Sequence, residues 1–340
     1  MSKKHRPKVG ELLALTREDG QLFHDAKGQV IPLPYAAAPL ADTHGHLTHF
    51  HQHEAGMALA RAAMAGVALL GVPVDPTDDG ADPQELQACL DGWVEAAATH
   101  VDELLSWGVA APAHDPRTLL EHVHIWAGVH PYGAARFNTS IEAHEALEQL
   151  LASPRAVGVG EIGLDYGPYN RTDPKEQKLA FAYHLRLANE MGLPVELHLR
   201  DAEGDPTAAA HVDAAQILER EGVPAAGCDL HCYTSGVEVM RPFVEMGCFV
   251  AFGGASTFPR SEDIREAAVA CPRELILSET DSPYMAPVPL RGMECEPAMV
   301  ALTAGLVAAT REEAGVCEVA QTYRDLWANA QRLFGVQVGV

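Results

Sequence analysis

The sequence predicts an α/β fold, a (β/α)8 barrel of the TIM type, and three observations point to it. Eight apolar runs rich in β-branched residues recur at 40–47, 67–74, 125–130, 156–164, 194–199, 226–232, 248–254 and 275–280. Each is followed by a helical stretch, and the runs are too continuously apolar for strands with one wet face, which implies a parallel sheet covered on both sides. No G-x-G-x-x-G follows the first run. The phosphate loop usual in a doubly wound open sheet is therefore absent, and eight β–α units in a row point to a closed cylinder.

Residues 1–38 precede the first run and read as an extension ahead of a domain spanning 39–340. Within it Leu12, Leu13 and Leu15 suit a helical turn, and Gly28 and Pro32 punctuate a turn that leads into an extended piece. Packing against the barrel is the expected fate of this segment. The first strand, Pro39-Leu-Ala-Asp-Thr-His-Gly-His-Leu47, is followed by an amphipathic stretch at 54–65. The interval between the second and third strands is long. It holds a loop at 75–80, a helix at 83–107 with Pro83 in its first turn, and an irregular piece at 108–117. Residues 75–120 thus read partly as an insertion, which either covers the ligand end of the barrel or enlarges an outer helix. Further helices are expected at 176–191, ending before Gly192, at 213–221, at 262–270, and at 318–334 on the outside of the barrel.

Composition bounds the function. Of 340 residues 47% are hydrophobic, enough for a large core, and 24 Lys plus Arg stand against 47 Asp plus Glu, a formal charge of −23. That balance argues against a protein that coats duplex DNA with a broad basic face. It leaves room for a nuclease whose phosphate contacts run through bound cations in a cleft. Seven cysteines, at 89, 228, 232, 248, 271, 295 and 317, contain no CxxC and fit reduced thiols in a cytoplasmic protein. The basic Met1-Ser-Lys-Lys-His-Arg is followed by no apolar segment, and no apolar run is long enough to span a bilayer. No obligate protein partner is evident.

Chemistry-bearing residues gather at the ends of the runs, where barrel enzymes keep their sites. The first ends in His44 and His46, which share a face by the two-residue period of a strand, with Gly45 leaving room between them. The third ends in Gly128-Val-His-Pro131, the fourth carries Glu161, the fifth Glu196, His198 and Arg200, the sixth His231, and the eighth Asp281. Burying so many ionisable groups in one apolar barrel is costly unless they are paired or metal-bound. Glu161 is the most telling. It sits in a Gly-rich apolar strand without a Lys or Arg, and a carboxylate there is stabilised by bridging two cations.

These motifs resemble the TatD family of metal-dependent deoxyribonucleases, among the amidohydrolase-like barrels. The resemblance covers about 39–335. It rests on Asp42-Thr-His-Gly-His-Leu47, Gly128-Val-His-Pro131, Gly160-Glu-Ile-Gly-Leu-Asp-Tyr166, Pro194-Val-Glu-Leu-His-Leu-Arg200, His231-Cys-Tyr-Thr-Ser-Gly236, Glu279-Thr-Asp-Ser-Pro-Tyr284 and 329–335, in that order. It implies that His44, His46 and Asp281 hold one divalent metal, that Glu161 bridges to a second held by His198 and His231, and that the metals are Mg²⁺, Mn²⁺ or Zn²⁺. The chain departs from the family pattern in its N-terminal extension, in the longer segment after the second strand, and at Glu294 and Cys295, which stand where the family usually has an Arg-Asn pair. Those positions are expected near the substrate face, where a lost positive charge weakens the case for nucleic acid.

The expected chemistry is two-metal hydrolysis of a phosphodiester, with single-stranded DNA or DNA 3′ ends as substrate. Asp281 and Glu161 are the catalytic candidates, Asp281 accepting the water's proton, and His130 and Arg200 contact substrate phosphate. A structural ion pair is the other reading of Arg200. Glu196 shares a face with His198 and supports the ligands from behind. Tyr166 and Tyr284 either stack on bases or pack in the core or at the rim. His49, His51 and His53 resemble a metal-binding tract but read as a solvated loop, since the chain is leaving the strand there. Two rival functions are a related metallohydrolase acting on a small ester, amide or phosphoester, and a non-catalytic metal-binding barrel. The first commonly bridges its metals with a carbamylated lysine on the fourth strand, where this chain has Glu161.

Overall fold

The computed structural model describes residues 16–79 and 82–340. Eight parallel strands pair in chain order: β1 (Leu40–Asp42), β2 (Val67–Val74), β3 (Val123–Ala127), β4 (Ala156–Asp165), β5 (Val195–Arg200), β6 (Cys228–Leu230), β7 (Phe249–Phe252) and β8 (Ile276–Ser278). Consecutive strands are joined through helices: α1 (Ala55–Met64), α2 (Pro83–Ser106), the single turns α3 (Thr118–Glu121) and α4 (Ala134–Phe137), α5 (Ile141–Leu151), α6 (Pro174–Met191), α7 (Ala209–Glu221), α8 (Val237–Glu245) and α9 (Glu262–Ala270). After β8 come α10 (Val300–Glu313) and α11 (Val319–Phe334). This is the predicted (β/α)8 barrel.

The seam between β8 and β1 is held by a few bonds in place of a full ladder. The Thr43 N–H donates to Ser278 O at 3.2 Å, Ser278 Oγ to Ala41 O at 3.2 Å, and Gly45 bridges Ser282. Asp42 stitches the same seam from inside, accepting from the Thr280 N–H at 2.8 Å and from Thr280 Oγ1 at 2.6 Å. The barrel is nearly closed, and the first and last strands meet where the first histidines emerge.

Local sequence explains the helices. Asp82 and Asp173 cap α2 and α6 through side-chain bonds to the following N–H groups, each ahead of a proline in the first turn, and α6 stops at Gly192, whose φ of 67° suits glycine. Sequence and structure differ chiefly at strand ends. The ladder of β1 stops at Asp42 and that of β6 at Leu230, where apolar character runs on to Leu47 and Cys232. Past the ladder the chain stays inside the barrel mouth with isolated bonds to its neighbours, such as Gly45 N–H to Gly71 O at 2.9 Å and His231 N–H to Leu197 O at 3.1 Å, so burial outlasts regular pairing.

Of the N-terminal segment, Leu22 and Phe23 are buried in the main core. The helical turn expected at Leu12, Leu13 and Leu15 lies outside the described residues. In the long interval after β2, α2 lies on the outer layer, burying Leu86, Leu90, Ala97, Val101 and Leu104, while the loop ahead of it, Asp75 to Asp79, reaches the mouth. All seven cysteines are free thiols.

Candidate metal centre

Six strands deliver one constellation. His44 and His46 leave the end of β1 side by side, with Nε2 atoms 3.1 Å apart. A Cβ at Gly45 would stand 2.8 Å from Ser282 Oγ, so only glycine lets the two histidines flank this seam. Asp281 follows β8 with φ 57°, a left-handed conformation that aspartate tolerates better than most residues. Its Oδ1 lies 3.8 Å from both His44 Nε2 and His46 Nε2. Glu161, from β4, places Oε2 3.8 Å from the same two nitrogens. Its other oxygen, Oε1, faces a second set: His198 Nδ1 at 2.6 Å, His231 Nε2 at 2.9 Å and His130 Nε2 at 3.7 Å.

These spacings suit divalent cations. Ligand atoms about 2.0–2.2 Å from one ion lie roughly 3.0–3.5 Å from one another, and the separations above, from 2.6 to 3.8 Å, lie on both sides of that range. Every ion-pair partner of Glu161 among the described residues is a histidine. Among the described residues no Lys or Arg neutralises it directly. Among the described residues three groups could hold an ion: His44, His46 and Asp281; His44, Glu161 and His231, which shares His44 with the first; and His130, Asp165 and His198.

The electrostatics follow from burial and crowding. Burial raises Glu161, but the imidazoles of His231, His130 and His198 outweigh it and hold the carboxyl well below the usual range. Burial pushes His44 well below an ordinary histidine, with His231 adding to it, and carries His46 to about 4 and His130 to about 3. These three are therefore neutral at pH 7, the form that ligates metal. Burial lowers His231 and His198 too, yet Glu161 beside them raises both above the ordinary value. Burial brings Asp281 up to about 7, against the pull of His231.

Behind the ligands stand further carboxylates. Glu196, fully buried, has Oε2 3.0 Å from His44 Nδ1, the arrangement that orients a ligating imidazole. Asp165 Oδ2 lies 3.1 Å from His198 Nε2 and 3.5 Å from Arg200. Glu279 accepts from the Cys232 N–H at 2.6 Å and faces His231 Nδ1 at 3.7 Å. Arg200 thus lines the cavity and pairs with Asp165 at once, so both of its readings have a basis.

A cavity of about 830 Å³ opens above this cluster, with His46, His130, Glu161, His198, His231 and Asp281 among its lining. Three expectations need correction. His49 and His53 are not solvated. His49 stacks on His46 with ring centroids 4.5 Å apart and sits 3.1 Å from Asp79 Oδ1, while His53 is buried against Glu296 at 2.6 Å; only His51 is exposed. Glu294 is not at the substrate face. It is buried, and its carboxylate accepts from the N–H groups of His51, Gln52 and His53 at 2.7–3.2 Å. Tyr166 turns outward and donates to Asp213 at 2.7 Å, whereas Tyr284 lines the mouth. Sequence reasoning missed Asp165 as a member of the cluster, though it shares strand parity with Glu161, and missed the His49–Asp79 contact, which two separate loops create.

Comparison with known proteins agrees with this geometry. The model of the family described as TatD related DNase matches residues 41–335. The chain is 35% identical over 263 residues to a protein of Escherichia coli K12 named uncharacterized metal-dependent hydrolase YcfH, covering 76% of this chain and 93% of that one. It is 34% identical over 220 residues to an Escherichia fergusonii protein named 3′-5′ ssDNA/RNA exonuclease TatD, covering 63% of this chain and 79% of that one. Among solved structures, the TatD homologue YjjV of E. coli K12 superposes with a TM-score of 0.67 at 25% identity, over 88% of this chain and all of that one. The chain therefore belongs to the TatD family of metal-dependent hydrolases.

Proposed function

We propose that the chain hydrolyses phosphodiester bonds of single-stranded nucleic acid with the help of two divalent cations. The single observation that carries this reading is the division of Glu161: Oε2 faces His44 and His46, and Oε1 faces His198 and His231. One carboxylate presented to two sets of imidazoles is what a bridging ligand requires. His44, His46 and Asp281 would hold one ion, His198 and His231 the other, and Glu161 would join them. Neutral imidazoles mixed with carboxylates suit Zn²⁺ or Mn²⁺ and admit Mg²⁺. Bound there, such cations supply Lewis acidity toward a phosphoryl oxygen and toward water.

The remaining work falls to the chain. Asp281, beside the ion it would help to hold and lining the cavity, is placed to take a proton from an attacking water. His130 and Arg200, both lining the cavity, would receive the non-bridging phosphate oxygens. Glu196 fixes the ring of His44 from behind. The name of the E. fergusonii relative supports nucleic acid as the substrate.

The test is a substrate screen on protein stripped of metal and reloaded with Mg²⁺, Mn²⁺ or Zn²⁺. Single-stranded DNA and RNA are offered beside a panel of small esters, amides and phosphoesters. Cation-dependent release of nucleotides is expected. Glu161→Ala should lower kcat/KM by roughly a thousandfold, since several kcal/mol of transition-state stabilisation depend on the cations it positions. Turnover of an ester or amide with none of nucleic acid would instead establish the rival small-molecule hydrolase, and cation binding with no turnover would establish the non-catalytic barrel.

A further inference from the structure

Charge is unevenly placed around the mouth. The loop after β2 brings Asp75, Asp78 and Asp79 to the cavity. Asp79 is engaged by Thr48, by His49 and by the Asp75 N–H. The Asp78 side chain is 78% exposed, and the nearest cation-forming group is His49 Nε2, 4.0 Å away. On the other arc, the loops after β3 and β4 contribute Tyr132 and Tyr169 and the end of β5 contributes Arg200, all exposed. Arg136 stands between the arcs, donating to Thr77 O at 2.9 Å. Arg136 and Arg200 are the guanidinium groups among the cavity's lining residues. The chain as a whole carries a formal net charge of −23.

Resting on the phosphodiesterase reading above, we propose that this mouth selects oligonucleotides of two or three units over long single strands. The cavity, about 830 Å³, is of the size that encloses a small molecule and does not track along a polymer. The first units find what a nucleotide needs: Tyr132 and Tyr169 present ring faces on which unpaired bases stack, and Arg200 takes a phosphate. A longer strand brings its further phosphates toward the exposed Asp78 and into the field of a chain of net charge −23, and the second guanidinium of the lining, Arg136, is already engaged with Thr77 O.

Salt gives this arrangement a signature. A protein that tracks a strand with lysines and arginines releases counterions on binding, so its affinity falls as salt rises. Here the long strand is held off by repulsion, which salt screens over about 10 Å at 0.1 M. Added salt should therefore help the long strand and leave a dinucleotide almost unaffected.

The experiment measures kcat/KM of the Mn²⁺-loaded full chain for a dinucleotide, a trinucleotide and a long single strand of the same base, from low to high NaCl. At low salt the short substrates should exceed the long one by about tenfold or more, and the gap should close as salt rises. Asp78→Lys should narrow the gap at low salt, chiefly by raising the rate on the long strand. A long strand turned over as well as the short ones, with rates falling as salt rises, overturns length selection and leaves the phosphodiesterase reading intact. No hydrolysis at any length overturns both. An unchanged length preference in Asp78→Lys overturns the part assigned to that residue.

Discussion

Two buried clusters of histidine and carboxylate flank the chain between His44 and Ala55, and they differ in one component. In the lower cluster Glu296, fully buried, is gripped by Arg61, whose Nε donates to Oε2 at 2.6 Å while Nη2 reaches Oε1, and His53 approaches Oε1 at 2.6 Å. Burial raises that carboxyl, but Arg61 brings it down to about 2. In the upper cluster Glu161 is also buried, at the floor of the cavity, yet among the described residues it meets five histidines and no guanidinium. The comparison teaches how a cation site is recognised: the same residue types, without the chain's own cation in place. One cluster is complete as folded, and the other is completed from outside.

The sharpest way to break that comparison is to take the cation out of the lower cluster. Arg61→Met leaves Glu296 buried with its guanidinium gone and His53 left beside it, a change that costs about 3–5 kcal/mol. Urea denaturation should show this loss with or without divalent metal in the buffer. The double variant Arg61→Met/Glu296→Leu should recover most of it, since an apolar pair of similar size avoids the desolvation cost. The pH dependence has a fixed sign. Glu296 is depressed in the folded state to about 2, against about 4.3 for an unperturbed glutamate. Its contribution is therefore complete above the unfolded value and is lost as the pH falls toward 2. The stability difference between the wild type and Glu296→Gln should shrink over that window.

The upper cluster should respond to metal instead. Chelation should lower Tm, and a cation at a hundred to a thousand times its Kd should restore about 2.7–4.1 kcal/mol. Glu161→Ala should abolish most of this response, while Arg61→Met, measured against its own chelated state, should keep it. A wild-type protein whose Tm ignores chelator and added cation alike would sink the claim that Glu161 is left for an external ion.

How much of this was legible in the sequence depends on whether the partners are local. His44 with His46 and Glu196 with His198 are two apart on one strand, so pleating alone places each pair on a face. The eight apolar runs gave the barrel for the same reason, since each strand's burial is written in its own residues. Asp165 was legible in principle, four residues after Glu161 on β4. The His49–Asp79 contact was not, because it joins a loop after β1 to a loop after β2 with no shared period. Strand ends were read too long at β1 and β6, since apolar character reports burial and not pairing. The lower cluster was hidden as well: Arg61 and Glu296 are 235 residues apart, and each alone looks like a surface charge.

Glu294 divides the two kinds of reading most directly, with the smallest expected effect. Where the family resemblance suggests an arginine, this chain has a glutamate, and from sequence that looks like a positive charge removed from the substrate face. In the fold the carboxylate lies beneath the turn ahead of α1, accepting from three successive N–H groups. It holds the loop that carries His49 onto His46. On the first view Glu294→Arg restores a phosphate contact and raises activity on oligonucleotides. On the second it buries a guanidinium against three donors, with no acceptor where one is needed. We expect Glu294→Gln to cost about 1–3 kcal/mol, because one acceptor becomes a donor facing an N–H. Glu294→Arg should cost more and lower kcat/KM. A stable Glu294→Arg protein with improved turnover of nucleic acid would show that the loop can do without its carboxylate, and would return this position to the substrate face.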